Sequence, residues 1–230
     1  MRYRPTIVVV AAGRGSRFGA ALHKLEQEFG AGATPDEGAP STAPEAMLDR
    51  ASPAPTVLGS TLRNAVQSQL PVVVVTTAEH VATAARQVAR RDIVVLSDEE
   101  AARGMGHSIA TGVAERSGAP GWLVLPGDMP LVQPGTLLAV ASALEQHAVV
   151  YAQYRGRRGH PVGFASELYS ELILLQGDEG ARRIIARYPA FGQEVADPGV
   201  LIDIDTPADL QAARAAAAAA SPPSPTPAAN

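Results

Sequence analysis

The sequence predicts an α/β fold with a mostly parallel central sheet and helices on both faces. Three observations carry this expectation. Short β-branched runs without polar alternation recur along the chain, as in strands buried on both faces. Helical candidates lie between them. A glycine-rich stretch follows the first run directly, at the strand end where open α/β sheets bind ligands.

The first strand is Ile7-Val8-Val9-Val10, and further runs span Pro71 to Thr77, Ile93 to Leu96, Trp122 to Leu125 and Ala148 to Ala152. The intervening helices are expected at Ser60 to Gln69, with Ser60 as N-cap, then Ala78 to Arg91, His107 to Arg116 and Pro134 to Gln146. Beyond these, a short strand is expected at Pro161 to Phe164 after a Gly/Arg loop. A helix follows at Glu179 to Tyr188, a strand at Val200 to Ile204 and a closing helix at Pro207 to Ala220. The expected domain is residues 1–220. It is interrupted by a Pro/Gly/Ala-rich insertion at about 30–56, whose composition is poor in core-forming side chains, and is followed by a disordered tail at 221–230.

The 230 residues are 46% hydrophobic and 18% charged with a mean hydropathy of +0.04, enough for a sizeable core. The longest apolar runs are too short to span a bilayer and no signal-like segment is present, so a soluble, cytoplasmic protein without a membrane partner is expected. The absence of cysteine excludes disulfides, thiolate metal sites and a cysteine nucleophile. A net charge of −4 argues against general nucleic-acid binding.

Lys24 is the only lysine among nineteen basic residues. In a chain that otherwise uses arginine, a retained lysine points to a site that needs a compact ammonium rather than a planar fork, the alternative being a chance surface lysine. It follows Ala11-Ala12-Gly13-Arg14-Gly15-Ser16-Arg17-Phe18-Gly19, a stretch suited to cradle an anion on backbone N–H groups, with Arg17 and Lys24 adding positive charge. The spacing matches neither a dinucleotide fingerprint nor a P-loop, and a plain strand–turn–helix is the other reading.

Two acidic strand ends complete the pattern. Pro126-Gly127-Asp128-Met129-Pro130 follows a central strand, and Asp203-Ile204-Asp205-Thr206-Pro207 closes a later one. One carboxylate from each, Asp128 and Asp205, suits Mg²⁺, which takes oxygen ligands and bridges phosphates. On a strand, Asp203 and Asp205 face the same side. The competing reading of Asp205 is a cap on the last helix. Tyr154-Arg155-Gly156-Arg157-Arg158-Gly159-His160-Pro161 suits an anionic acceptor through Arg157, Arg158 and His160, or else is a solvated hairpin tip. His23 and His107 flank the proposed site and are equally readable as helix-start residues. His80 and His147 carry no site argument.

Taken in order, AAGRGSRFG with Lys24, RGMGHSIATGV from Arg103, PGDMPLV from Pro126, YRGRRGHPVGF from Tyr154, GDEGAR from Gly177 and DIDTPADL from Asp203 resemble the nucleotidyltransferases of the molybdenum-cofactor class, most closely the molybdenum cofactor cytidylyltransferases. The resemblance implies a Rossmann-like nucleotidyltransferase fold and Mg²⁺. It also implies transfer of CMP from CTP (or GMP from GTP) to a molybdopterin-type cofactor with release of pyrophosphate. It assigns Ala11, Ala12, Gly13, Gly15, Arg17, Lys24, Gly106 and Ser108 to the nucleotide, with Arg17, Lys24 and Asp128 catalytic and Asp128 and Asp205 on the metal. The chain departs from the pattern in the insertion after Lys24. Alternatives are a nucleotidyltransferase for another small phosphate and a non-catalytic factor delivering cofactor to a client molybdoenzyme, the retained acids and lysine favouring catalysis.

Overall fold

The computed structural model describes residues 3–13, 23–30 and 55–220. Seven strands form one sheet: β1 Thr6–Ala11, β2 Val72–Thr77, β3 Ile93–Leu96, β4 Gly121–Pro126, β5 Val149–Tyr154, β6 Arg157–Ala165 and β7 Ala190–Glu194, in the order β3-β2-β1-β4-β6-β5-β7. All ladders are parallel except the two that β6 makes with β4 and β5, so β6 alone is reversed. The helices are α1 Val57–Gln67, α2 Val81–Ala85, α3 Asp98–Ala101, α4 Met105–Glu115, α5 Pro134–Ala143, α6 Tyr169–Leu172, α7 Arg182–Arg187 and α8 Pro207–Ala220.

Alternation along β1 divides the core. Ile7 and Val9 face Leu58 and Leu62 of α1 and Leu137 of α5, while Val8 faces Ile109 and Val113 of α4. Each such side chain is fully or almost fully buried, worth about 1.5–3 kcal/mol apiece. The α4 contact is close enough that a Cβ on Gly112 would stand 2.4 Å from Val8 Cγ1, so this helix approaches the sheet only with glycine there. Helices therefore cover both faces, as the buried β-branched runs require.

Apart from one strand the expected elements are present, with four corrections in all. The N-cap of α1 is Thr56, whose hydroxyl accepts from the Gly59 N–H, and Ser60 is buried within the helix. The helix expected to run to Arg91 stops at Ala85. The strand expected at Val200 to Ile204 is instead a 3-10 turn, Pro198–Leu201, because Asp197 accepts from the Gly199 N–H and also from Gln133 N–H and the Thr136 hydroxyl. Arg157 and Arg158 lie on β6 rather than in a loop, the hairpin turn being only Arg155-Gly156, both at positive φ. Strand β7 was not expected: Ala190–Glu194 is a half-exposed edge with little apolar content. Residues 31–54 and 221–230 lie outside the described residues. The insertion's two stems are joined by an antiparallel bridge between Glu28 and Thr56, with Phe29 N–H on the Pro55 carbonyl and Val57 N–H on the Gln27 carbonyl.

Candidate active site

The parallel strands β1 and β4 end side by side, and the Gly127 N–H continues their pairing by donating to the Val10 carbonyl at 2.9 Å. The chain then turns, and α1 fixes the turn from below: the Thr61 hydroxyl donates to the Gly127 carbonyl at 2.9 Å, and Asn64 Nδ2 donates to the carbonyls of Pro130 and Val132 at 2.9 and 3.0 Å. Asp128 is thus presented at the carboxyl edge of the sheet on a braced backbone. Its carbonyl accepts from Ile204 N–H at 3.1 Å, which brings the second acidic segment alongside.

Lys24 closes this arrangement. Its Nζ donates to Asp128 Oδ2 at 2.6 Å and Asp205 Oδ1 at 2.7 Å, linking residues 104 and 181 positions away. The Lys24 side chain is 13% exposed. Burial pulls its pKa down, but the two carboxylates outweigh this and leave it above the usual lysine value. Lys24 is therefore held by the acids themselves, and the lysine and the acidic pair form one cluster. The reading of Asp205 as helix cap is answered too: Thr206 caps α8, its hydroxyl accepting from Asp209 N–H while Asp209 Oδ2 accepts from Thr206 N–H. Asp203, now on irregular backbone, is exposed.

One ammonium between two carboxylates leaves the cluster with a formal charge of −1. Asp128 Oδ1 is buried and has no hydrogen-bond partner among the described residues, a costly state for a carboxylate oxygen. An oxygen-seeking divalent cation fits this donor set. Among the described residues no group of three or more acidic or histidine side chains is arranged to hold a metal unaided. Asp128 and Asp205 would hold a cation whose remaining positions are filled by water and phosphate, the habit of Mg²⁺.

The other expected site residues divide. Ala11 ends β1 and Ala12 follows it, both with buried side chains, so they offer a ligand only backbone; Gly13 comes next with open space where a Cβ would stand. Gly15 and Arg17 lie outside the described residues. Gly106 is in the first turn of α4, its N–H donating to the Gly177 carbonyl at 2.8 Å, and a Cβ there would meet the Gln176 backbone at 2.8 Å. Its glycine thus lets the 176–178 loop cross the helix start. Ser108, one turn in, is buried, and His107 Nε2 is buried without a partner among the described residues. His147 stacks on Phe191 at 4.1 Å.

On the acceptor side, β6 advances four residues, Val162 to Arg158, while β5 advances two, Tyr151 to Gln153. Gly159-His160-Pro161 thus stand opposite Ala152 alone, two residues in excess, and bulge out of the ladder, with a cis peptide at His160-Pro161; such bulges re-aim side chains. His160 is thereby brought into the fields of Asp128, Asp203 and Arg182; burial holds its pKa below the ordinary histidine value against the pull of the two acids, with Arg182 acting in the same direction as burial. Arg158 lies over the Tyr151 ring at 4.5 Å, and adjacent residues on a strand point to opposite faces, so Arg157 and Arg158 are directed apart. Arg182 was not singled out from the sequence, where it is one arginine of eighteen with only the preceding Gly-Asp-Glu-Gly-Ala to mark it.

Residues 7–195 match the MobA-like NTP transferase domain. The chain is 38% identical over 125 residues to the purine catabolism protein PucB of Bacillus subtilis, an alignment spanning 51% of this chain and 60% of that relative. Among solved structures it is similar to Rv0371c of Mycobacterium tuberculosis, at 26% identity and TM-score 0.69 over 92% of this chain and 98% of that one. Rv0371c has also been crystallised with manganese, that structure matching at 24% identity and TM-score 0.67 over the same shares. A nucleotidyl transferase from Methanothermobacter shares the fold at 20% identity and TM-score 0.70, over 96% of this chain and all of that one.

Proposed function

The chain belongs to the MobA-like NTP transferase family, and from that premise we propose that it is a divalent-metal-dependent nucleotidyltransferase that transfers CMP from CTP to a molybdopterin-type cofactor with release of pyrophosphate. The observation that carries the reading is the Lys24–Asp128–Asp205 cluster at the carboxyl edge of β1 and β4, with Asp128 Oδ1 buried and unpartnered. A carrier that only delivered cofactor would have no use for it. The manganese complex of Rv0371c supports a divalent cation here. The choice of CTP and of the acceptor rests on the ordered motifs of the sequence.

The terminal phosphate of the acceptor is already an anionic nucleophile, so no general base is needed. Its oxygen bonds to the α-phosphorus of the nucleotide as the bond to pyrophosphate breaks. The barrier lies in bringing anions together, and catalysis is positioning and charge neutralisation. Mg²⁺, held by Asp128 and Asp205, would supply positive charge to the triphosphate and the departing pyrophosphate. Lys24 uses two of its three N–H donors on the acids, leaving the third for a phosphate oxygen. Backbone N–H groups around Gly13 and Gly15, with Arg17, would cradle the phosphates, and Gly106 and Ser108 would border the base and ribose. His160, favoured neutral, keeps one N–H for the acceptor without adding a buried charge, and Arg158 and Arg182 add fixed positive charge on that side.

The test is pyrophosphate release with each of the four NTPs, Mg²⁺ and purified cofactor. CTP supporting turnover well above the others confirms the reading. GTP preference moves it to a guanylyltransferase, and no release with any NTP rejects it.

A further inference from the structure

We propose that His23 is a positioning residue for Lys24: its imidazole, as the Nε2–H tautomer, straps the end of β1 to the turn that carries the lysine. The kinetic consequence rests on the nucleotidyltransferase reading above, while the strap itself does not.

Lysine reaches its two acids through a flexible four-carbon stem, so a bridge at 2.6 and 2.7 Å requires the backbone beneath it to be fixed. The 3-10 turn Lys24–Glu26 is too short to fix itself. His23 precedes it as N-cap, with Nδ1 accepting from Leu25 N–H at 3.2 Å, and its Nε2 stands 3.0 Å from the Gly13 carbonyl, ten residues back at the end of β1. A carbonyl only accepts and an amide N–H only donates, so the two contacts demand a proton on Nε2 and none on Nδ1. One neutral tautomer satisfies both. The other satisfies neither, and the cation loses the Leu25 bond.

The surroundings select that state. The His23 ring lies against His80 with centroids 4.5 Å apart, and His80 is 1% exposed. His80 Nδ1–H donates to Glu26 Oε1 at 2.8 Å, while the Thr83 hydroxyl of α2 donates to Glu26 Oε2 at 2.6 Å. The lysine-bearing turn is therefore pinned on two sides, to β1 through His23 and to α2 through Glu26. The titratable groups facing His23 are His80, Glu79 and Lys24; burial, then His80, favour the neutral ring, Lys24 adds to them, and Glu79 and the Gly13 bond oppose.

Two substitutions separate the contacts in the full-length protein. His23→Gln places an amide N–H where Nε2–H was and keeps the Gly13 bond; His23→Asn places an oxygen where Nδ1 was and keeps the Leu25 cap; His23→Ala removes both. Imidazole ¹⁵N shifts at pH 7 should show His23 neutral with the proton on Nε2. The Leu25 amide should exchange slowly in the wild type and His23→Asn and faster in His23→Gln and His23→Ala. In turnover, His23→Ala should lower kcat about tenfold or more, since misplacing a catalytic group by about 1 Å can cost that much, with KM for the nucleotide changing less and each of the other two variants recovering part. A protonated ring or a proton on Nδ1 at pH 7, an unchanged Leu25 amide in His23→Ala, or wild-type kcat in that variant overturns the proposal. Should the wild type turn over no NTP, the tautomer and the Leu25 amide still decide the strap, so its failure and that of the enzymatic reading are seen separately.

Discussion

The N–H of Ile204 donates to the carbonyl of Asp128 at 3.1 Å, so the two acidic segments are joined by backbone as well as through Lys24. Asp128→Asn and Asp205→Asn should therefore leave the fold intact while lowering turnover at least about tenfold and shifting the Mg²⁺ dependence to higher concentration, since each removes one charge from the cation site. Asp203→Asn should be milder, because Asp203 is exposed and outside the Lys24 cluster. Activity measured against Mg²⁺ concentration for the three variants checks this, and a dominant effect at Asp203 moves the metal assignment there.

Adjacent positions on β6 send Arg157 and Arg158 to opposite sides, so one phosphate group cannot take both. Arg158, held over Tyr151 on the sheet face that also packs α7 with Arg182, is the one expected to meet the acceptor. Arg158→Ala and His160→Ala should raise the acceptor KM by more than the nucleotide KM, and Arg157→Ala should change both little. Steady-state kinetics varying each substrate in turn decides it; equal effects of the two arginines on acceptor KM would return both to the site.

Much of this was legible in the sequence where one local rule dominated. The runs of β1 and β2 are β-branched and mostly buried and that of β4 is apolar and buried, so composition alone marks them, and α8 begins where Thr206-Pro207 with Asp209 spells a helix start. Lys24 is marked as the only lysine after a glycine-rich stretch, and Asp128 and Asp205 by residue type after apolar runs. Their meeting was not legible, because it depends on a 3-10 turn and an N-cap histidine that place Lys24 across the sheet edge. Val200 to Ile204 differs for a related reason: its apolar, β-branched content is overridden by Asp197, whose carboxylate takes three donors and curls the chain. The β6 bulge likewise leaves no local mark beyond the Gly-His-Pro that forms it.

The stems of the insertion, bridged at Glu28 and Thr56, hold Gly30 and Pro55 so close that a Cβ on Gly30 would stand 3.1 Å from Pro55 Cγ. Deleting residues 31–54 and joining the stems with two or three glycine or serine residues should keep Tm within a few degrees of the wild type, since hairpin stems already in register need only a short turn. Thermal unfolding of the deletion variant is the measurement. A larger loss would show that the deleted segment packs on the core.

Both His23 and His160 have pKa values held below the ordinary 6.5, in each case with burial as the largest cause. In the unfolded chain each takes a proton near that value, while the folded protein resists it, so the unfolded state binds more protons just below pH 6.5. Stability from these groups is complete above 6.5 and falls as pH drops toward their folded pKa values. Tm should decline from pH 7.5 to 5.5, and His23→Gln and His160→Gln should each make the decline shallower. A slope unchanged in both variants would assign the acid sensitivity to other groups.

Lys24 gives the most demanding expectation. Its single nitrogen serves Asp128 and Asp205 from one point, at 2.6 and 2.7 Å, within a site that leaves the side chain 13% exposed. A guanidinium carries the same charge but spreads its donors over a plane on a longer stem, so it can keep one carboxylate squarely or both poorly, and it fills the space where a phosphate oxygen would approach. Lys24→Arg should therefore fold and bind nucleotide yet turn over at least about tenfold more slowly, a transition-state loss of roughly 1.4 kcal/mol. Lys24→Ala, leaving two carboxylates facing each other without a cation between them, should lose more still. Adding Mg²⁺ should restore part of the alanine variant's stability, since a divalent ion can separate the same two carboxylates, but not its turnover, which needs the donor as well as the charge. Near wild-type kcat in Lys24→Arg would show that charge alone suffices at this position, and the chain's only lysine would then be interchangeable with its eighteen arginines.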